Sequence, residues 1–222
     1  MTVYDSSGSV VYRVNLATGY VLSAMLAPDN RSVAILNLTD IGSRITFYNL
    51  NSVEVARVFD LPDRLILDMR YLAGGALLAI STDSLFVVDR NGIAEELYEF
   101  GGRRPGSFAL DGGFISLYLL DHSIGHMGRL VTLDEAGGIL GEVETDREII
   151  FLSSGDGYLA ALRNDGIVFF NTELEELPAS GESASAAGAT RVLVLDNGFA
   201  LAAGDHSAVI FRVESLELSE LC

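Results

Sequence analysis

Residues 32–50, SVAILNLTDIGSRITFYNL, decide the reading of this chain. SVAILNL (32–38) is apolar nearly throughout, as a strand buried on both faces requires. A polar turn at Asp40 follows, and RITFYNL (44–50) is a run of β-formers stopped by a polar residue at Asn49. The same stop recurs along the chain: TVYD at Asp5, LFVVD at Asp89, RLVTLD at Asp134, IVFFN at Asn171 and VIFR at Arg212, at intervals of 44, 40, 45, 37 and 41 with Asn49 included. A second series runs out of phase with it, a tight turn before an apolar run: APDN to Asn30, LAGG to Gly75, LDGG to Gly113, SGDG to Gly157 and LDNG to Gly198, spaced 45, 38, 44 and 41. Two independent markers with one irregular period establish a repeat of about 42 residues.

Each unit reads as four strands, a to d. In the first complete unit these are VLSAML (21–26), SVAILNL (32–38), RITFYNL (44–50) and VARVFDL (55–61). Strand b is apolar, strand d mixes charges with apolar residues as an outer edge does, and the a to b turns carry Asp-Asn, Gly-Gly, Asp-Gly or Asn-Gly, which tolerate the positive φ of tight hairpins. Four strands per repeat predict an all-β fold, a β-propeller of four-stranded antiparallel blades forming one domain over 1–222. Strands c and d fall at 2–15, complete blades at 20–61, 64–100, 106–144 and 148–178, and strands a to c at 191–213: about five blades, four complete and two partial. Those twenty-one strands are one more than five blades need, so the ring does not close cleanly and Met1 begins inside a blade. The polar tract PASGESASAAGAT (178–190) reads as a mobile loop.

Composition narrows the function. The chain has 222 residues, 31 acidic against 14 basic, and a net charge of −17; every basic residue is Arg and they are scattered. That excludes nucleic acid as the main partner, because a phosphate backbone calls for a basic stripe. With no Lys there is no Schiff-base lysine and no P-loop or kinase lysine. The single Cys222 cannot close a disulfide or complete a metal site. No apolar run is long enough to span a bilayer and MTVYDSSG lacks the regions of a signal peptide, so the chain as given reads as soluble. No Gly-x-Ser-x-Gly elbow or phosphate-binding loop is present.

The hairpins TVYDSSGSVVYRV, FVVDRNGIAEEL and VTLDEAGGILGEV resemble the c to d hairpins of the WD40-like and quinoprotein-like propeller superfamily. LAPDNRSVAIL followed by SRITFYNL, GRLVTLDEAGGILGEV and DGIVFFN make the chain most similar to a family of membrane-anchored WD40-like propellers of unknown function from Gram-positive anaerobes. The resemblance implies a membrane helix and about two blades ahead of the part seen here, so that the chain is a fragment of a seven-bladed, extracytoplasmic propeller; a cytoplasmic location is the alternative. The chain departs from true WD40 and cofactor-binding quinoprotein patterns in having no Trp, and the resemblance implies no catalytic residue and no cofactor.

The b to c turns each contain an aspartate, Asp40, Asp83, Asp121, Asp165 and Asp205, and the d to a connections on the same predicted face carry Arg64, Arg103 with Arg104, Arg147 and Arg191. Each Asp either caps its own turn and pairs with a nearby Arg, or the set forms a mixed-charge ring that recognises a ligand or partner. The longest of these turns, LDHSIGHMGR, adds His122 and His126 beside Asp121, and His206 follows Asp205. His-x3-His brings two rings together only on a helix, which Gly125 and Gly128 oppose, so an exposed loop is expected there and metal binding is the alternative. The chain is expected to be a non-enzymatic scaffold or a ligand- or protein-binding propeller, with neutral or cationic partners and open blade edges available for self-association. The runner-up is a propeller hydrolase or lyase acting on glycans or peptides in the central channel.

Overall fold

Short apolar strands separated by Asx and Gly turns pair with their neighbours in sequence, because a turn of a few residues allows only an antiparallel return. A computed structural model describes residues 2–13, 19–52, 54–72, 74–89, 92–110, 113–121, 128–180, 186, 188–205 and 207–213. The chain divides into two compact units, residues 1–99 and 100–222.

In the N-terminal unit, β1 (Thr2–Tyr4) and β2 (Val10–Arg13) form a two-stranded half-blade. The first blade is β3 (Tyr20–Leu26), β4 (Ser32–Thr39), β5 (Gly42–Asn49) and β6 (Val55–Pro62), in that order. The second is β7 (Ile66–Tyr71), β8 (Leu77–Ser81), β9 (Ser84–Val88) and β10 (Ala94–Glu99). In the C-terminal unit the third blade comprises β11 (Arg104–Ala109), β12 (Ile115–Leu120), β13 (Gly128–Leu133) and β14 (Ile139–Thr145), and the fourth β15 (Ile149–Gly155), β16 (Tyr158–Arg163), β17 (Gly166–Asn171) and β18 (Glu176–Leu177). The fifth is ordered differently. Its inner three strands are β20 (Arg191–Leu195), β21 (Phe199–Ala203) and β22 (Ala208–Val213), and its outer strand is β19 (Ala179–Ser180), which precedes them in the chain and pairs with β22. The blade expected to hold only strands a to c is thus four-stranded, and Ala179 and Ser180 of the tract read as a loop are its edge.

Burial follows from which faces are covered. Strands β4, β8, β12 and β16 are buried almost end to end. Between the first two blades Ala34, Leu36 and Ile45 meet Ile66, Met69, Leu77 and Phe86; on the other side of the first blade Val33, Ile35 and Tyr48 pack on Tyr12 of the half-blade. Two strands cover only part of that face, so the inner strand β3 is left open on it: Leu26, paired with Val33, is 45% exposed, whereas Met69 on the equivalent strand β7 is 0% exposed. In the other unit Val192, Ala200, Ala202 and Phe211 face the fourth blade, while Leu193 and Ile210 on the opposite face are exposed.

The Asp or Asn that ends strand c in the half-blade and in the first four blades has a mechanical role. Asp5 Oδ1 accepts hydrogen bonds from the N–H groups of Ser7 and Ser9, Asn49 Oδ1 from Asn51, Asp89 Oδ1 from Ile93, Asp134 Oδ1 from Ala136 and Gly138, and Asn171 Oδ1 from Glu173 and Glu175, at 2.7–3.0 Å. These are Asx turns that set the c to d hairpin. Inner strands of successive blades are stapled by side chains: Ser107 Oγ accepts from the Leu152 N–H and Ser153 Oγ from the Val194 N–H, each at 3.0 Å.

Candidate functional site

The charged residues of the b to c and d to a connections are engaged locally. In the N-terminal unit Arg64 lies with its guanidinium 5.1 Å from the centre of the Phe86 ring, and Asp83 accepts from Ser81 Oγ at 2.5 Å. Asp40 is exposed in the turn after β4 and contributes to raising the Arg44 pKa; the larger cause is the Arg44–Asp60 pair across β5 and β6, 2.6 Å long. In the C-terminal unit Arg147 and Asp165 form an ion pair of 2.7 Å, and Arg191 stacks 4.9 Å over Phe151 while donating to the Thr190 carbonyl at 2.8 Å. Arg103 grips Glu144 with both terminal nitrogens, at 3.0 and 3.1 Å, and Arg129 reaches the same carboxylate at 2.9 Å. These hydrogen bonds, Arg103 first, hold the Glu144 carboxyl below its ordinary pKa. Arg104 opens β11, Asp121 follows β12, and Asp205 is exposed in the turn before β22. His122, His126 and His206 lie outside the described residues. Among the described residues no cluster of three or more His, Cys, Asp or Glu side chains could hold a metal ion.

A concavity that no sequence motif announced lies at the opposite end of the strands. Between the first and second blades, at their a to b and c to d turns, Ala27, Pro28, Asp29, Ser32, Phe47, Ala56, Arg57, Phe59, Tyr71, Gly75, Leu77, Val88 and Asp89 line a cleft of about 370 Å³. Its position traces to one residue. Ser32 is the first residue of β4 and pairs with Asn49; Tyr158 is the first residue of β16 and pairs with Asn171. Asn30 and Asp156, each two residues earlier, both take positive φ, 55° and 51°, so the two positions are structurally equivalent. In the C-terminal unit the Tyr158 ring packs against Phe169 and its hydroxyl donates to the Phe199 carbonyl of the fifth blade, filling the gap between blades. Asp156 Oδ2 adds a latch by accepting from the Gly198 N–H at 2.9 Å. Serine at the equivalent position leaves that space open in the N-terminal unit.

The walls of the cleft combine three chemistries. Phe47 and Phe59 meet edge to face with centroids 5.4 Å apart, and with Leu77 and Val88 they form an apolar wall. Gly92, at φ 87°, lies so close to Phe59 that a Cβ there would overlap the ring, so glycine is required to seat the hairpin after β9 against this wall. Asp29 Oδ1 accepts from the Arg31 N–H at 2.9 Å and Asp89 Oδ1 from the Ile93 N–H at 2.8 Å, which fixes both carboxylates. Arg57 sits just past a β-bulge in β6 and makes no ion pair with a described residue. Tyr71 places a buried hydroxyl at the wall that has no hydrogen-bond partner of good geometry among the described residues. Burial pushes its pKa above the ordinary value; Ser32 opposes this and Asp29 adds to it.

Residues 1–149 match the model of a family described as a family of unknown function, DUF5711. The chain belongs to that family. No curated protein matches it in sequence. Among solved structures it is similar to BamB from Moraxella catarrhalis, with 17% identity, a TM-score of 0.57 and 92% of this chain covered. The chain spans 61% of the BamB chain. It is also similar to the computationally designed Ika4 protein, with 13% identity, a TM-score of 0.53, 72% of this chain covered and 95% of that one. At these identities the likeness carries the fold, and together with the four-stranded antiparallel sheets it makes this member of the family a β-propeller protein. No helix among the described residues is long and apolar enough to cross a membrane.

Proposed function

We propose that this protein is a non-enzymatic binding propeller whose N-terminal unit holds a small ligand between its first and second blades. The observation that carries the reading is the open gap itself: a cleft of about 370 Å³ with an aromatic wall and fixed charges. Its size falls within the roughly 300–1,000 Å³ of ligand pockets. The charged groups of the b to c end support the reading from the other side, because Arg147, Asp165, Arg103 and Glu144 are bound to one another. The reading includes anchorage outside the cytoplasm by a segment absent from this sequence, which the resemblance to membrane-anchored propellers supports, and neutral or cationic partners, which the charge of −17 favours.

A fragment screen by heteronuclear NMR with indole, phenol and benzylamine tests it. Shifts should concentrate on Ser32, Phe47, Phe59 and Tyr71 and vanish in Ser32→Tyr, or in Ala56→Trp, which plugs the cleft from its exposed rim. Shifts confined to the b to c turns would sink the reading. A second reading, self-association, is favoured by the exposed Tyr20, Leu22 and Leu26 of β3 and by Leu193 and Ile210 in the other unit. Light scattering should then show a mass that falls to one chain in Leu193→Glu/Ile210→Glu; a single-chain mass at all concentrations excludes it.

A further inference from the structure

We propose that Met25 is a site of oxidative modification: a peroxide converts its thioether to the sulfoxide and so releases a hydrogen bond that joins the first blade to the second. Met25 Sδ accepts the Tyr71 N–H at 3.2 Å. Met25 lies on β3 and Tyr71 ends β7, and both are edge strands of their sheets. The C-terminal unit makes the same link with different chemistry. Asn49 pairs with Ser32 and Asn171 with Tyr158; two residues further on, Ala34 pairs with Met25 and Ala160 with Ser153, so Met25 and Ser153 are equivalent. Their donors are equivalent too. Tyr71 pairs with Leu77, which pairs with Val88 before the stop at Asp89, and Val194 pairs with Ala200, which pairs with Phe211 before Arg212. Ser153 Oγ accepts the Val194 N–H at 3.0 Å.

That equivalence separates a redox role from a purely mechanical one. A hydroxyl is the stronger acceptor and resists peroxide, whereas a thioether is a weak acceptor and is readily oxidised. A staple alone therefore calls for serine, as at Ser153. Access favours reaction at this sulfur: Met25 is half-buried between the exposed Ala24 and Leu26, whereas Met69 is 0% exposed. In the reaction an electron pair of Sδ attacks one peroxide oxygen and the O–O bond breaks. The hydroxide released takes the proton of the S–OH group, leaving sulfoxide and water; sulfur is oxidised and the peroxide is reduced. The sulfoxide is bulkier and polar, and it does not fit a junction that holds the thioether 3.2 Å from the Tyr71 N–H. The link therefore opens on the strand whose Tyr71 side chain lines the cleft. The inference stands on this junction and is independent of what the cleft binds.

Treatment of the full chain with hydrogen peroxide, read by peptide mass spectrometry and by amide hydrogen exchange, tests the inference. Met25 should gain one oxygen at least about tenfold faster than Met69, and exchange of the Tyr71 amide should rise about tenfold or more in the oxidised protein. Met25→Leu conserves volume and keeps Met1, Met69, Met127 and Cys222, so its Tyr71 exchange should be the same with and without peroxide. If that variant fails to fold, the rates of Met25 and Met69 and the Tyr71 exchange of the parent chain before and after oxidation still decide the matter. Oxidation of Met25 no faster than that of Met69 overturns the inference. So does Tyr71 exchange that oxidation leaves unchanged, or a Met25→Leu protein whose Tyr71 amide responds to peroxide as the parent's does.

Discussion

The gap between the first and second blades and the gap between the fourth and fifth are built from the same strands and turns, yet one is open and the other is filled. In the C-terminal unit a tyrosine at the start of β16 reaches the next blade, and Asp156 ties the two turns together. In the N-terminal unit the same position is Ser32 and the large residue is Tyr71, on the receiving strand β7. Its counterpart in the fifth blade, when the strands are aligned on the polar stop of strand c, is the smaller Val194. The exchange of a large and a small residue across the gap moves the aromatic bulk to one wall and leaves space beside it. A repeated fold thus acquires a local concavity by redistributing side-chain volume, with the strand framework unchanged.

Substituting Tyr158 is the largest test of this comparison. Tyr158→Ser should cost about 3–5 kcal/mol in urea unfolding, since it removes a buried ring along with its hydrogen bond. Ser32→Ala should change stability by less than about 0.5 kcal/mol. Equal effects at the two positions would show that the gaps are not related as described. Next comes Gly92→Ala, which forces a Cβ into Phe59 at a backbone φ of 87° and should cost about 1–3 kcal/mol. Gly74→Ala has open space and no positive φ, and should be neutral or slightly stabilising by the same measurement.

Alkaline titration separates the filled gap more finely. Burial, with Asp156 adding, pushes the Tyr158 pKa from 10.0 up to about 12. The folded state therefore keeps the phenol proton after the unfolded chain has released it. This contribution to stability is intact below pH 10 and falls as the pH rises toward 12. Tyr158→Phe should flatten the unfolding midpoint over that window; an unchanged slope would mean that the phenol is not shielded in the folded state. The smallest effect sets a background. Glu144 is held below its ordinary pKa, so its contribution is present at neutral pH and is lost as the pH drops through the folded value. Its side chain is half exposed, so Glu144→Gln should cost less than about 1 kcal/mol at neutral pH and reduce the loss of stability on acidification.

The strands were legible because burial on two faces produces runs such as SVAILNL and LYLL that no exposed element would tolerate. The period was legible because Asp5, Asn49, Asp89, Asp134 and Asn171 each have to cap a hairpin, although the sequence assigned the capping role to aspartates at the opposite end of the strands. There, Asp165 does pair with its Arg, whereas Arg64 and Arg191 lie over phenylalanine rings. The cleft was not legible. Ser32 and Tyr158 could be aligned from their neighbours, but what a small residue leaves behind depends on Tyr71 and Phe59, which come from strands whose approach no periodicity specifies. The edge strand β19 was hidden for a similar reason: two residues of a polar tract carry no strand pattern, and only a free edge on β22 gives them a place.

That edge strand changes how the last blade resists being pulled apart. In the second to fourth blades the strand latest in sequence is the outermost and can peel away by breaking one ladder. In the fifth the latest strand lies between two others, so a tug from beyond Val213 loads two ladders together, with five residue pairs on one side and two on the other. Stretched from that end, this blade should yield abruptly, as a clasp does, where its neighbours would unzip.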